Sequence, residues 1–146
     1  MVRRWGWTIV LTAALASCTR PAALEVTDAW SRETVGQSAN AAVFMTVRSR
    51  TADRLIGAST PLARKTDLMT MEGGSAAMGM KYLDSIDIPA NATVRLNPAG
   101  LHVWLAGLNR PLQRGQTFAL TLVFENAGER RVDVSIIGAT SAPPSR

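Results

Sequence analysis

Four of the six methionines lie in one short window, Met69-Thr70-Met71-Glu72-Gly73-Gly74-Ser75-Ala76-Ala77-Met78-Gly79-Met80. Thioether sulfur is a soft, uncharged donor that selects Cu(I) over Zn(II), Mg(II) or Ca(II). It needs no deprotonation and forms no disulfide, which suits an acidic or oxidising compartment. His102 is the sole imidazole of the chain, and Trp104 lies two residues further on. At strand spacing the two share a face. Thioethers with one imidazole make a Cu(I) donor set, and an indole face beside them attracts a cation and shields it from water and oxidants. The competing reading is structural. Methionine fills gaps in cores, and a lone His or Trp is commonly a packing residue. Against core filling stands β propensity: Met forms strands poorly beside Val, Ile and Phe.

The elements must put these side chains on one side. A hairpin with Gly74-Ser75 as a type II′ turn does so, because Gly at the first central position tolerates positive φ. It pairs 73 with 76, 72 with 77, 71 with 78 and 69 with 80. Directly opposed residues share a face, as do residues two apart on a strand. Met69, Met71, Met78 and Met80 then project together, and a one-residue slip would undo the arrangement.

The rest of the chain carries the same period of two. Ala42-Val43-Phe44-Met45-Thr46-Val47 reads as a buried strand, followed by a turn at Thr51-Ala52-Asp53 and a strand at Leu55–Ala58. Ala92–Leu96 alternates and ends in a turn at Asn97-Pro98-Ala99-Gly100, which leads into a strand from His102 to Leu105. Phe118, Leu120, Leu122 and Phe124 alternate, as do Val132, Val134 and Ile136 across a turn at Asn126–Glu129. Turn signals recur about every ten residues and no stretch shows a 3.6-residue period, so an all-β sandwich or barrel is expected.

The N-terminus reads as an address. Arg3 and Arg4 precede an apolar run from Trp5 to Ala16, shorter than the roughly 20 residues of a membrane span. Leu15-Ala16-Ser17-Cys18 resembles the lipobox of bacterial lipoproteins. Residues 1–17 are therefore expected to be a signal peptide, with Cys18 lipidated as the mature N-terminus. An ordinary signal peptide cut near Ala16 or Ala22 is the other reading. Thr19 lacks the Asp of inner-membrane retention, so in a Gram-negative organism a periplasm-facing outer-membrane anchor is favoured. Residues 18–23 would be the tether, 24–138 the domain, and 139–146 a disordered tail.

The chain has 146 residues, 47% of them hydrophobic, which suits one packed domain. Its formal charge is +5. Loss of Arg3 and Arg4 lowers this to +3, and the remaining basic residues are scattered, so no nucleic-acid footprint is present. One Cys excludes an internal disulfide, and lipidation would remove it as nucleophile or ligand. The single His has no visible nucleophile partner and the carboxylates form no paired motif, so no enzyme is expected.

The spacing Met69-x10-Met80-x21-His102-x-Trp104 resembles that of the PCu(A)C periplasmic copper chaperones (domain of unknown function 461), which carry His-x10-Met-x21-His-x-Met. Asp28-Ala29-Trp30, Ala41-Ala42-Val43-Phe44-Met45, Ile88-Pro89, Pro98–His102 and Leu108–Leu112 match its flanks in order, from about Leu24 to Ile137. The resemblance implies a cupredoxin-like, immunoglobulin-like β-sandwich. It also implies Cu(I) binding and delivery to a cuproenzyme or to a subunit of cytochrome c oxidase. Met80 and His102 fall on matching positions; Met69 replaces the family's first His and Trp104 its last Met. The expected site is Met69, Met80 and His102, with Trp104 as cap and Met71 or Met78 as reserve sulfur. The alternative is a lipoprotein whose copper site has decayed, leaving an apolar patch for a protein partner.

Overall fold

A computed structural model describes residues 23–72 and 79–144. Ten strands follow one another: β1 (Leu24–Arg32), β2 (Asn40–Ser49), β3 (Asp53–Ser59), β4 (Ala63–Glu72), β5 (Gly79–Leu83), β6 (Ile86–Ile88), β7 (Ala92–Leu96), β8 (His102–Leu108), β9 (Thr117–Phe124) and β10 (Gly128–Ile137). The described residues contain no helix, and the expected all-β sandwich is what forms. Cys18, Gly74-Ser75 and Met78 lie outside the described residues, as do the signal peptide and most of the tether.

The strands hydrogen-bond in the order β5-β4-β8-β2-β1-β10-β9-β3-β6, and β7 pairs with the second half of β2. Most neighbours are antiparallel, but β1 and β10 run parallel and join the two layers. The alternation read from the sequence places the core. Phe118, Leu120, Leu122 and Phe124 of β9 and Val134 and Ile136 of β10 face Val43, Met45 and Val47 of β2 and Val103 and Leu105 of β8 across the sandwich. Leu68 of β4 and Ile86 and Ile88 of β6 complete that core.

Two local features shape the side away from it. A bulge interrupts β1 between Thr27 and Trp30, with Asp28 at φ 52°. Thr27 pairs with Thr46 and Trp30 with Phe44, so β1 spends one residue more than β2. The bulge switches which alternate residues face outward and turns Trp30 to the outer face. It also turns Ser31 inward, where its hydroxyl donates to the Ala42 carbonyl at 2.8 Å.

The second feature is at the C-terminus. The segment read as a disordered tail is held at its start. Arg32 donates to the carbonyl oxygens of Ala139 at 2.8 Å and Ser141 at 2.9 Å, and the Ala139 N–H donates to Glu33 at 3.0 Å. One guanidinium nitrogen, Arg32 Nη1, reaching these carbonyls replaces the strand pairing that ends at Ile137, which composition alone does not reveal.

Candidate metal centre

The β4–β5 hairpin forms, but in a different register from the one expected. Met71 pairs with Met80 and Met69 with Tyr82, two residues away from the pairing of 69 with 80 and 71 with 78. An even shift preserves the face. Met69, Met71 and Met80 therefore still project on one side, the side away from the core cluster. On its other edge β4 pairs with β8, and there Met69 stands directly opposite His102. Met71 occupies the position between Met80 on one neighbouring strand and Gly100 on the other. The three sulfurs and the imidazole thus form one contiguous group across three strands.

Burial within that group is graded. Met69 is 2% exposed and His102 3%, Met71 is half-buried, and Met80 is 48% exposed. Neither Met69 nor His102 belongs to the inter-sheet core. They are covered on the outer face by a separate aromatic row. Phe44 lies 6.2 Å from the His102 ring, and Trp30 lies 4.6 Å from Phe44. The Arg32 guanidinium stacks over Trp30 at 5.4 Å. Sequence reasoning missed Phe44 and Trp30 as walls of the site. A signal existed for Phe44: the run from Ala41 to Met45 is continuously apolar, the mark of a strand covered on both faces.

The turn before β8 fixes the imidazole. Asn97 folds the chain back, accepting at its side-chain oxygen from the Ala99 N–H at 3.0 Å and at its carbonyl from the Gly100 N–H at 3.1 Å. The Gly100 carbonyl then faces two donors, the Met71 N–H at 3.2 Å and His102 Nδ1 at 3.0 Å. A carbonyl oxygen only accepts, so Nδ1 carries a proton, and in the neutral imidazole Nε2 is then the nitrogen with the lone pair. This is the arrangement in which metal-binding imidazoles are held.

Trp104 does share a face with His102, at 6.3 Å and 71° between rings, and is half-buried. Its cross-strand partners are Asp67 and Ala42. It therefore borders the Met69–His102 pair on the side opposite Met71 and Met80, as a wall rather than a lid over the sulfurs. Asp67 is ion-paired to Lys65 at 3.0 Å. Among the described residues no three His, Cys, Asp or Glu gather.

Known proteins resemble this chain in family and fold. The family described as "Putative lipoprotein LpqE-like" matches residues 24–136. "Putative lipoprotein Lxx21020" of Leifsonia xyli subsp. xyli (strain CTCB07) is 32% identical over 83 residues, which are 56% of this chain and 50% of that protein. The chain thus aligns with half the length of that relative. The copper-bound PCuAC domain from PmoF2 superposes with a TM-score of 0.68 at 26% identity, covering 80% of this chain and 94% of that one. The solution structure of CuI-DR1885 from Deinococcus radiodurans gives 0.67 at 30% identity, covering 86% and 85%. The resemblance drawn from the spacing of Met69, Met80 and His102 is borne out at the level of family and fold.

Proposed function

We propose that this chain, which belongs to the LpqE-like lipoprotein family and shares the PCuAC fold, is a lipid-anchored Cu(I) carrier of the periplasm. The observation that carries this reading is the pairing of Met69 with His102, whose Nδ1 is engaged by Gly100. Cu(I) is the cargo. Met69, Met80 and His102 are its ligands, and Met71, standing opposite Met80, supplies the sulfur that Trp104 does not. Thioethers and a neutral imidazole favour Cu(I) over Cu(II) and over hard cations.

The gradient of exposure suits transfer. Met69 and His102 hold the metal from the protected side, while Met80 stands in solvent where an acceptor's ligand can displace it. Trp104, Phe44 and Trp30 keep water from the other sides. In this reading copper is taken up and released unchanged, as by a carrier and not an enzyme. The acceptor is a cuproenzyme, with cytochrome c oxidase assembly as the first candidate. Lipidation at Cys18 would hold the carrier at the outer membrane.

The test is an anaerobic Cu(I) titration against a competing chromogenic chelator. One-to-one binding that is lost in His102→Ala supports the carrier. A second reading, a metal-free module for a protein partner, is favoured by Trp104 at the family's last Met position and by exposed Met80 and Tyr82. Absence of Cu(I) binding in the same titration would select it.

A further inference from the structure

The tether enters the fold beside a groove of about 590 Å³ lined by Ala23, Glu25, Arg48, Arg50, Asn91 and Thr93. The Ala23 carbonyl accepts from the Arg50 N–H at 2.8 Å, which fixes the point of entry. Arg48 stands between Glu25 of β1 and Thr93 of β7, and its Nε donates to Thr93 Oγ1 at 2.9 Å. Exposed Arg95 lies two residues along β7. Two guanidinium groups, Arg48 and Arg50, thus line the groove with one carboxylate, Glu25. The opposite corner of the same end differs: Asp53, Asp87 and Glu125 gather there with Arg54, which is paired to Asp87, and with Arg130, whose charge acts on Asp53. The end is basic on the β1–β2–β7 side and acidic on the β3–β6–β9 side.

Chain length selects what meets the basic side. Cys18 precedes Ala23 by five residues, a reach of at most about 18 Å. A domain of this size is roughly 35 Å across, so a tether this short cannot let it turn freely. We infer that the groove seats the phosphate-bearing headgroup of an anionic phospholipid, docking the basic corner on the membrane that holds the lipid anchor. This rests on the reading of Cys18 as acylated. Trp30 lies six residues beyond Leu24 along β1, about 20 Å further from the tether. Docking at the groove therefore sets the Met69–His102 row back from the bilayer, with the Met71–Met80 row on its membrane-facing side and Trp104 on the other.

The test uses the full chain purified from membranes and placed in vesicles of phosphatidylcholine alone or with phosphatidylglycerol. Arginines are then modified with phenylglyoxal and read by peptide mass spectrometry. Phosphatidylglycerol should slow modification of Arg48 and Arg50 several-fold and leave Arg110, at the far end of the fold, unchanged. Arg48→Gln should speed modification of Arg50 under the same conditions. Equal rates in both vesicles, on a chain whose Cys18 peptide carries acyl groups, overturn the docking alone. Protection by inorganic phosphate as strong as by phosphatidylglycerol also overturns it, in favour of a free-anion site. An unacylated Cys18 peptide overturns the anchor, and the docking with it.

Discussion

Met69 and His102 are direct cross-strand partners on β4 and β8, both almost wholly buried, on the face of the sheet that points away from the main core. A sulfur and an imidazole so placed are held by two strands at once. The Gly100 carbonyl joins those strands a second time through the Met71 N–H and His102 Nδ1. The pair is therefore placed by the sheet, and the turn at Gly100 orients the imidazole.

The sulfurs can be separated from packing. Met69→Leu conserves volume and should cost less than about 1.5 kcal/mol of stability. Met80→Leu, at a 48% exposed position, should cost almost none. Both should weaken Cu(I) binding by more than the roughly 10–100-fold typical of losing a ligand's hydrogen-bond partner. Chelator competition and urea denaturation on the same samples check this; unchanged affinity in both variants removes the sulfurs from the site.

Met71 divides the two possible donor sets. Its register opposite Met80 predicts that Met71→Leu weakens Cu(I) binding about as much as Met80→Leu. X-ray absorption should count three sulfurs and one nitrogen in the unmodified protein and one sulfur fewer in the variant. An unchanged sulfur count would return the site to Met69, Met80 and His102.

Trp104 is close enough to His102 to report on the metal, at 6.3 Å between rings. Cu(I) should quench tryptophan fluorescence, and Trp104→Phe should remove most of that quenching while leaving binding largely intact. Trp104→Met places a thioether beside His102, at the last Met of the PCu(A)C spacing, and should tighten binding. Quenching that survives Trp104→Phe would point to Trp30 instead.

The aromatic wall has a structural cost of its own. Phe44→Ala opens a cavity between Trp30 and His102 and should destabilise the domain by about 3–5 kcal/mol. Phe44→Leu should recover most of that stability. Denaturant midpoints measure both.

Acid stability should depend on Asp53. Partial burial works to raise its pKa, but N–H donors from Asn126, Arg54 and Ala127, with the charge of Arg130, hold it below its ordinary 3.8. A carboxylate whose pKa is depressed in the folded state stabilises the fold above its unfolded pKa. That contribution is lost as pH falls through the lower, folded value. Asp53→Asn should therefore lower stability at pH 7, by about 1–3 kcal/mol if the charge-assisted bonds are lost. It should also flatten the fall in stability below pH 4, and denaturation at pH 7 and pH 3 gives the comparison.

What the amino-acid order determined was alternation and chemistry. The period of two in Phe118–Phe124 and Val132–Ile136 fixed which side chains enter the core, because a strand has only two faces. The same rule put Met69, Met71 and Met80 on one side whatever the even-numbered register of the hairpin, and put His102 beside Trp104. The turn residues Asn97-Pro98-Ala99-Gly100 marked the bend that presents the Gly100 carbonyl. Tertiary structure decided which strands meet. Pairing of β4 with β8 is a contact between segments more than thirty residues apart, and no local pattern states that Met69 faces His102. The hairpin register, with Met71 and not Met69 opposite Met80, was likewise not stated by the alternation, which is the same for every even shift. The bulge at Asp28 reversed the facing of Trp30 and Ser31, because one extra residue inverts everything after it. Local sequence sets the face of each residue, and only packing sets its neighbour.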